Sequence, residues 1–221
     1  MPTPLSDSTL EQFRAAIASA QPVPAGVTAA AVSASFALGL LAKALTVSGR
    51  HKELSGHLAR LEPLAAAAQA GSKRMLQLAA DDVCAFEVYL AGARLPRSTA
   101  RERHDRRDAL DRAVERAIEL PLAAAREAAA GLELCAAACP LTHLALIADL
   151  GACASLLASG LRVFLMCAES NVRQLTPDAS RYHVRLAEEA QRQEHGLSRA
   201  QAVLAHVASA LGAATRPENA A

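Results

Sequence analysis

Apolar positions dominate the chain most strongly between residues 27 and 47, where nearly every residue is small and apolar and Lys43 is the only charge. A Pro-x-Pro turn and Gly26 precede this run, and Gly49 follows it. Its length approaches that of a membrane span, but no aromatic belt or basic cluster flanks it. The pattern predicts a helix buried in a soluble protein, with a membrane span or the floor of a ligand site as alternatives.

Further helical patterns fill the rest of the chain. Leucines recur every three or four residues, a period that predicts helices, and Ser8 with Glu11 three residues later predicts a capping box. A densely charged stretch is typical of a solvated helix with ion pairs three and four residues apart. Pro121 is predicted to begin a new helix, and Asp178 to cap the last. The predicted helices cover residues 6–19, 27–47, 52–95, 99–119, 122–138, 142–175 and 178–211.

Composition supports an all-α fold. Hydrophobic residues make up 52% of the 221 residues but aromatic residues only 3%, and the abundant Ala and Leu are the strongest helix formers. We expect a single-domain helical bundle over residues 1–212, built around two long apolar buried helices, and a disordered tail at 213–221. The net charge of +1 argues against a dedicated nucleic-acid-binding protein.

Five cysteines, an odd number, lie in apolar helical contexts. They are predicted to be small buried thiols in a reducing cytosol and not a disulfide framework. Cys135 and Cys139 lie on one helix face, but no His or Cys pair stands near them at zinc spacing, so no metal site is expected. The polar N-terminus lacks the features of a signal peptide. A cytoplasmic protein without membrane association is the expectation.

The candidates for chemistry are isolated polar groups in apolar helices: Asp82, Asp149, Asn171, Lys43 and the turn at Gly26. A carboxylate in apolar surroundings is costly unless it is paired or functional. Each candidate has a structural alternative. Asp82 could cap a helix or pair with an arginine, Asp149 could form a core ion pair, Asn171 could end a helix, and Lys43 could extend its stem along the surface.

Several of these segments, in this order, resemble the motifs of the cyclodeaminase/cyclohydrolase family. This family comprises the cyclodeaminase domain of formiminotransferase–cyclodeaminase and the methenyltetrahydrofolate cyclohydrolases. The similar segments cover most of the chain from Leu10 to about Leu175. They are Phe13, the turn at residues 22–28, Leu45-Thr46 with Gly49, Asp82-Val83-Cys84-Ala85-Phe86, the close at residues 91–96, Ala148-Asp149-Leu150-Gly151 and Asn171-Val172.

The resemblance implies an all-helical homodimer that binds a reduced folate. Its implied reaction is the hydrolysis of 5,10-methenyltetrahydrofolate to 10-formyltetrahydrofolate, and no formiminotransferase domain precedes this sequence, which favours that activity over cyclodeamination. Asp82 is the predicted base, with Asp149 as the second catalytic group. No cofactor is expected, because the tetrahydrofolate derivative is the substrate. The residues implied in substrate binding are Pro24, Gly26, Thr28, Arg50, Lys52, Phe86 and Asn171, with arginines of the charged helix as further partners for the glutamate tail.

The sequence departs from the family pattern at the turn before the first apolar helix. Ala25 and Val27 stand where the family has glycine, and each adds a Cβ where backbone or ligand needs close approach. Thr28 keeps a hydroxyl where the family has serine, whereas Ala148 replaces the serine before Asp149. Two alternatives therefore stay open: a formiminotetrahydrofolate cyclodeaminase, or a divergent and catalytically weak member that binds folate or a partner.

Overall fold

A computed structural model describes residues 5–175 and 180–214 of the chain. Within these ranges the secondary structure is helical, without a strand, so the predicted all-α class is confirmed. Short 3-10 segments join the longer helices. The α-helices are α1 (Leu10–Ile17), α2 (Gly26–Ser48), α3 (Leu58–Ala93), α4 (Ala100–Ala138), α5 (Ile147–Leu175) and α6 (His183–Ala214).

The first helix begins later than the sequence predicted. Thr9, and not Ser8, is its N-cap, because the Thr9 side chain accepts a hydrogen bond from the backbone N–H of Gln12. The Gln12 side chain accepts in turn from the backbone N–H of Thr9. The capping box predicted from Ser8 and Glu11 is therefore wrong by one residue. Both boxes fit the same local pattern, which left the register open.

Helix α2 is central, as its apolar sequence predicted. It packs against α3 on one side and α5 on the other, and Leu38, Leu41 and Leu45 are completely buried along it. Gly49 is its C-cap. By length and composition α2 and the stretch 144–173 are apolar enough to cross a membrane, yet 56% and 50% of their most apolar windows are buried in the protein. Half-buried apolar helices of this kind are typical of a protein core.

Close approach of α2, α4 and α5 depends on a glycine. A Cβ built on Gly131 of α4 would lie 2.9 Å from Leu157 Cδ1 and 3.0 Å from Leu38 Cδ2. Any larger residue at 131 would force these buried leucines to move. The small-residue character of the sequence therefore allows three long helices to pack closely around one core.

Helix α4 corrects the prediction that Pro121 starts a new helix. The helix runs without interruption from Ala100 to Ala138, with Pro121 buried inside it. A proline there lacks the N–H that would bond to the carbonyl four residues earlier, which belongs to Ala117. In the structure Asn171 Nδ2 of α5 donates to that Ala117 oxygen at 2.8 Å. A side chain from a neighbouring helix thus completes the hydrogen bonding that proline removes.

Ion pairs attach α6 to the middle of α4. Arg126 of α4 donates to Glu119 of its own helix and, at 2.8 Å, to the buried Glu189 of α6. Arg185 of α6 pairs with Glu115 and Glu119 of α4. The predicted cap Asp178 lies outside the described residues, as does the predicted tail from residue 215 onward, while residues 213 and 214 still belong to α6.

All five cysteines are free, in agreement with the predicted absence of disulfides. Cys135 and Cys153 are buried, with their sulfur atoms 3.4 Å apart between α4 and α5. Cys84 is exposed, so the prediction that every cysteine is buried is wrong at this position. Cys84 lies two residues after Asp82 on α3 and takes the outward face of the helix.

Candidate functional site

The N-terminal end of α2 receives a carboxylate from α3. The Thr28 hydroxyl donates to Asp82 Oδ2 at 2.7 Å, and the backbone N–H of Thr28 lies close enough to lower the pKa of the same carboxyl group. Thr28 is completely buried and Asp82 is half-buried. The N-cap residue of α2, Ala25, has no side chain that can bond to the free N–H groups of the first turn. Asp82 therefore serves as a cap supplied by a neighbouring helix, one of the structural alternatives for this residue.

Burial changes the chemistry of this carboxyl group. Desolvation raises the pKa of Asp82 above its ordinary value, and the hydrogen bonds from Thr28 oppose that rise without cancelling it. Within the described residues no positive side chain forms an ion pair with Asp82. A carboxylate with a raised pKa and neutral partners is suited to accept a proton near neutral pH.

The adjacent residue, Asp81, has the opposite surroundings. Arg116 of α4 donates to Asp81 Oδ2 at 3.0 Å, and Gln77 donates to Asp81 Oδ1 at 2.8 Å. An ion pair with an arginine was one structural alternative for Asp82, but Asp81 forms that pair instead. Asp81 and Asp82 are adjacent on α3, so the helix directs their side chains to different neighbours. Asp81 faces the arginine of α4, and Asp82 faces the hydroxyl of α2.

A cysteine from α5 completes the group. A Cβ built on Gly26 would lie 3.4 Å from Cys167 Sγ, which places the thiol beside the first turn of α2. Burial raises the pKa of the Cys167 thiol, and the negative charge of Asp82 raises it further. Sequence reasoning missed Cys167. Its position one helical turn before Asn171, on the same face of α5, was the available signal.

The other residues predicted near this end have mixed surroundings. Pro24 is half-buried, follows a cis peptide bond, and lies with the exposed Gly26 in the turn that leads into α2. Phe86 is half-buried one turn beyond Asp82, with its ring centroid 6.0 Å from that of Tyr89. Asn171 uses its amide nitrogen on the Ala117 carbonyl. These placements leave the predicted binding roles untested.

The second predicted carboxylate lies at the other end of α2. Asp149 Oδ2 of α5 is 3.6 Å from Lys43 Nζ, and the two side chains are 32% and 62% exposed. Thr28 and Lys43 are separated along α2 by about 22 Å at a rise of roughly 1.5 Å per residue. Within one chain, therefore, the structure does not bring Asp82 and Asp149 together. Asp149 has the ion-pair partner that its structural alternative foresaw, although at the surface and not in the core.

Arg50 and Lys52 are also distant from Asp82 within the chain. Both are exposed and follow the C-terminal end of α2. Arg50 lines a cavity of about 790 Å³ between the end of α2 and the start of α3, together with Lys43, Glu62 and Lys73. This cavity lies away from Asp82. The cavity and the carboxylate with the raised pKa therefore point to different regions of the protein as the functional site. We place the candidate site at Asp82, because burial and convergent polar groups define its chemistry.

One group near this cavity has the donor atoms of a metal site. Ligand atoms of His51, Glu53 and His143 lie within 4.8 Å of one another. The two imidazole rings, however, are stacked with centroids 3.5 Å apart and an angle of 7° between planes. His143 Nδ1 already accepts a hydrogen bond from the Ala145 N–H. The lone pairs of stacked rings lie in two parallel planes and do not converge on one ion, so this packing fits a structural role for His143.

Comparison with known proteins adds independent information. The family model described as "Formiminotransferase-cyclodeaminase" matches residues 9–192, which include α1 to α5 and the start of α6. A methenyltetrahydrofolate cyclohydrolase from Methylorubrum extorquens is 26% identical over 156 residues, which cover 71% of this chain and 75% of that protein.

A solved structure shares the fold. The crystal structure of formiminotetrahydrofolate cyclodeaminase from Thermotoga maritima superposes with a TM-score of 0.77 at 17% identity, covering 96% of this chain and all of that chain. The resemblance recognised from the sequence motifs is confirmed by the family match. The chain belongs to the formiminotransferase-cyclodeaminase family.

Proposed function

We propose that this protein is a folate one-carbon enzyme that hydrolyses 5,10-methenyltetrahydrofolate to 10-formyltetrahydrofolate, with Asp82 as the general base. The observation that carries the proposal is the half-buried Asp82, whose pKa is raised and whose hydrogen-bond partner is the neutral Thr28 hydroxyl. Family membership and the similarity to a methenyltetrahydrofolate cyclohydrolase support the substrate class.

The chemistry follows from the substrate. The methenyl carbon bridges two nitrogens in an amidinium-like cation and is electrophilic. Water adds its oxygen to this carbon while Asp82 takes a water proton. The bond from the carbon to N5 then breaks and N5 takes up a proton. The hydroxyl group of the adduct loses its proton and becomes the carbonyl of the formyl group on N10, so one proton is released to solvent overall. The Asp82 carboxylate also offsets the positive charge of the substrate, an effect that burial strengthens.

A single carboxyl group can complete this cycle. The proton that Asp82 accepts from water is available for the departing N5, so no second carboxylate is required beside it. The placement of Asp149 at the far end of α2 is compatible with such a mechanism. Gly26, Thr28, Phe86 and Asn171 would position the pterin around Asp82. No separate cofactor is needed, and activity should persist in the presence of a chelator.

We propose that the protein works as a soluble cytoplasmic homodimer. Large apolar side chains on adjacent helices are open to solvent in the single chain: Phe36 of α2 is 58% exposed, and Leu156 and Met166 of α5 are 42% and 62% exposed. These side chains lie on two helices that pack against each other, and contiguous exposed apolar surface is typical of protein interfaces. Light scattering on the purified protein should give twice the chain mass, and Phe36→Glu with Met166→Glu should give the single-chain mass.

The test of the activity is spectrophotometric. Purified protein should accelerate the loss of methenyl absorbance above the buffer rate, and Asp82→Asn should remove that acceleration. Asparagine keeps an oxygen that can bond to Thr28 and cap α2, so loss of activity without loss of folding assigns a chemical role to the charge. If wild-type protein shows no acceleration, the cyclohydrolase proposal is wrong.

The cyclodeaminase alternative has its own support in the Thermotoga maritima structure, which has the same fold. It is distinguished by offering 5-formiminotetrahydrofolate and measuring release of ammonia together with gain of methenyl absorbance. A protein that binds folate in equilibrium dialysis but turns over neither substrate would instead be the divergent, catalytically weak member.

A further inference from the structure

Four arginines line one pocket where α3 turns into α4. The pocket has a volume of about 390 Å³. Arg97 belongs to the connection between the two helices, and Arg103, Arg106 and Arg107 to the first two turns of α4. Four cations around one small volume repel each other unless anions compensate them.

The carboxylates of the same segment are engaged elsewhere. Glu102 accepts hydrogen bonds from the backbone N–H groups of Ser98 and Thr99 as part of the α4 capping box. Asp105 pairs with Arg101, and Asp108 with His104. Across residues 5–175 and 180–214, no ion pair is formed by any of the four pocket arginines. Within the part of the chain that the structure describes, these four positive charges are therefore not compensated by ion pairs.

The shape of the pocket strengthens its positive potential. Tyr89, Leu110 and Val114 form apolar walls, and a low-dielectric wall focuses the field of nearby charges. Arg106 is half-buried and donates from Nη2 to the Ala93 carbonyl at 3.1 Å, while its buried Nε has no hydrogen-bond partner among the described residues. Asp111 is the one carboxylate lining the pocket in the described structure, and it opposes anion binding there.

We propose that this pocket binds a small ligand through carboxylate or phosphate oxygens. Guanidinium groups match both oxyanions in bidentate geometry, and the apolar walls accommodate the carbon skeleton next to the anionic group. Two sources share this chemistry: a free dianion, or the anionic end of the substrate. The second source rests on the proposed function. Tyr89 lies two helical turns beyond Asp82 on the same face of α3, about 10 Å away along the helix.

The first experiment measures binding without turnover. Isothermal titration with inorganic phosphate, pyrophosphate and glutarate is compared between wild-type protein and Arg97→Gln/Arg107→Gln. Both side chains are exposed and donate no hydrogen bond within the described residues, so the fold should persist. The matched control, Arg60→Gln/Arg101→Gln, removes the same charge outside the pocket. We expect the pocket variant to weaken binding about tenfold, the control to leave it unchanged, and Asp111→Asn to tighten it.

The second experiment separates the two sources. A rise in KM for methenyltetrahydrofolate in Arg97→Gln/Arg107→Gln, with kcat unchanged, assigns the pocket to the substrate's carboxylates. An unchanged KM with weakened phosphate or glutarate binding assigns it to a free dianion. If the pocket variant changes neither the binding of the three probes nor KM relative to its control, the proposal is wrong. Because titration needs no catalysis, an inactive protein would refute the proposed function and leave the binding result intact.

Discussion

The two ends of α2 each receive a carboxylate from a neighbouring helix, yet the two sites differ in their chemistry. At the N-terminal end Asp82 bonds to a buried hydroxyl, and burial raises its pKa. At the C-terminal end Asp149 faces the ammonium group of Lys43 at the surface. An exposed ion pair contributes little to stability, and its carboxylate stays in contact with solvent. The neutral partner and the burial, and not the carboxylate itself, make the N-terminal end a candidate for acid–base chemistry.

The largest predicted effect is on kcat, when the negative charge of the carboxylate is removed at one end of α2 or, in a separate variant, at the other. Asp82→Asn should lower kcat by a factor of about 10² to 10⁴, the usual contribution of a positioned general base. Asp149→Asn should change kcat by less than about threefold, because it lies some 22 Å away along α2. Steady-state rates of methenyl loss for both variants measure the difference. Equal losses of kcat in the two variants would contradict the difference between the two ends of α2 and require Asp149 to reach the site from a second subunit.

A structural role for Asn171 can be separated from a role in binding. Asn171→Ala should reduce the free energy of unfolding by about 1–3 kcal/mol, because the Ala117 carbonyl loses its donor. In a Pro121→Ala background the restored backbone N–H supplies that donor, so Asn171→Ala should reduce the free energy of unfolding by a smaller amount. Urea denaturation of the four proteins gives the coupling. An equal loss of unfolding free energy on Asn171→Ala with and without Pro121 would show that Asn171 does not compensate for the proline.

The role of the neutral partner can be tested by pH. Thr28→Val removes the hydroxyl that stabilises the ionised Asp82, so the pKa of Asp82 should rise further. The acidic limb of the kcat/KM profile should then move to higher pH, whereas Thr28→Ser, which keeps a hydroxyl, should leave it in place. A profile unmoved by Thr28→Val would mean that the limb reports another group.

The smallest effect concerns stability. Because burial raises the pKa of Asp82 above 3.8, the folded state binds more protons than the unfolded state just above that pH. The contribution of Asp82 to stability therefore falls as pH rises through its folded pKa. The advantage of Asp82→Asn over wild type in free energy of unfolding should increase from pH 4 to pH 7. A difference between Asp82→Asn and wild type that stays constant from pH 4 to pH 7 would contradict the effect of burial on Asp82.

Much of the fold could be read from sequence because its signals are local. Apolar periodicity and composition located α2 and the long apolar helix α5, and Gly49 marked the end of α2. The motif segments also identified Asp82 and Thr28. Their contact could not be derived from spacing, since the two residues are 54 positions apart and meet only through helix packing.

The errors have a common physical origin in tertiary contacts. Asp82 and Asp149 are both carboxylates in apolar helical surroundings, and only the packed structure shows which of them faces an ammonium group. Cys167 belongs to no motif, and its position one helical turn before Asn171 does not by itself predict the contact with Gly26. Pro121 has the local signature of a helix start, but a side chain 54 residues from Ala117 overrides it.

The donation from Asn171 to Ala117 also bears on the order of folding. Before α5 docks, the Ala117 carbonyl has no partner within α4, and the chain on either side of Pro121 is expected to form two separate helical segments. Closing a contact across 54 residues is entropically slow compared with forming a helical turn. We therefore expect the two-helix pattern in the sequence to describe the chain before α5 docks, and the continuous α4 to form on tertiary assembly.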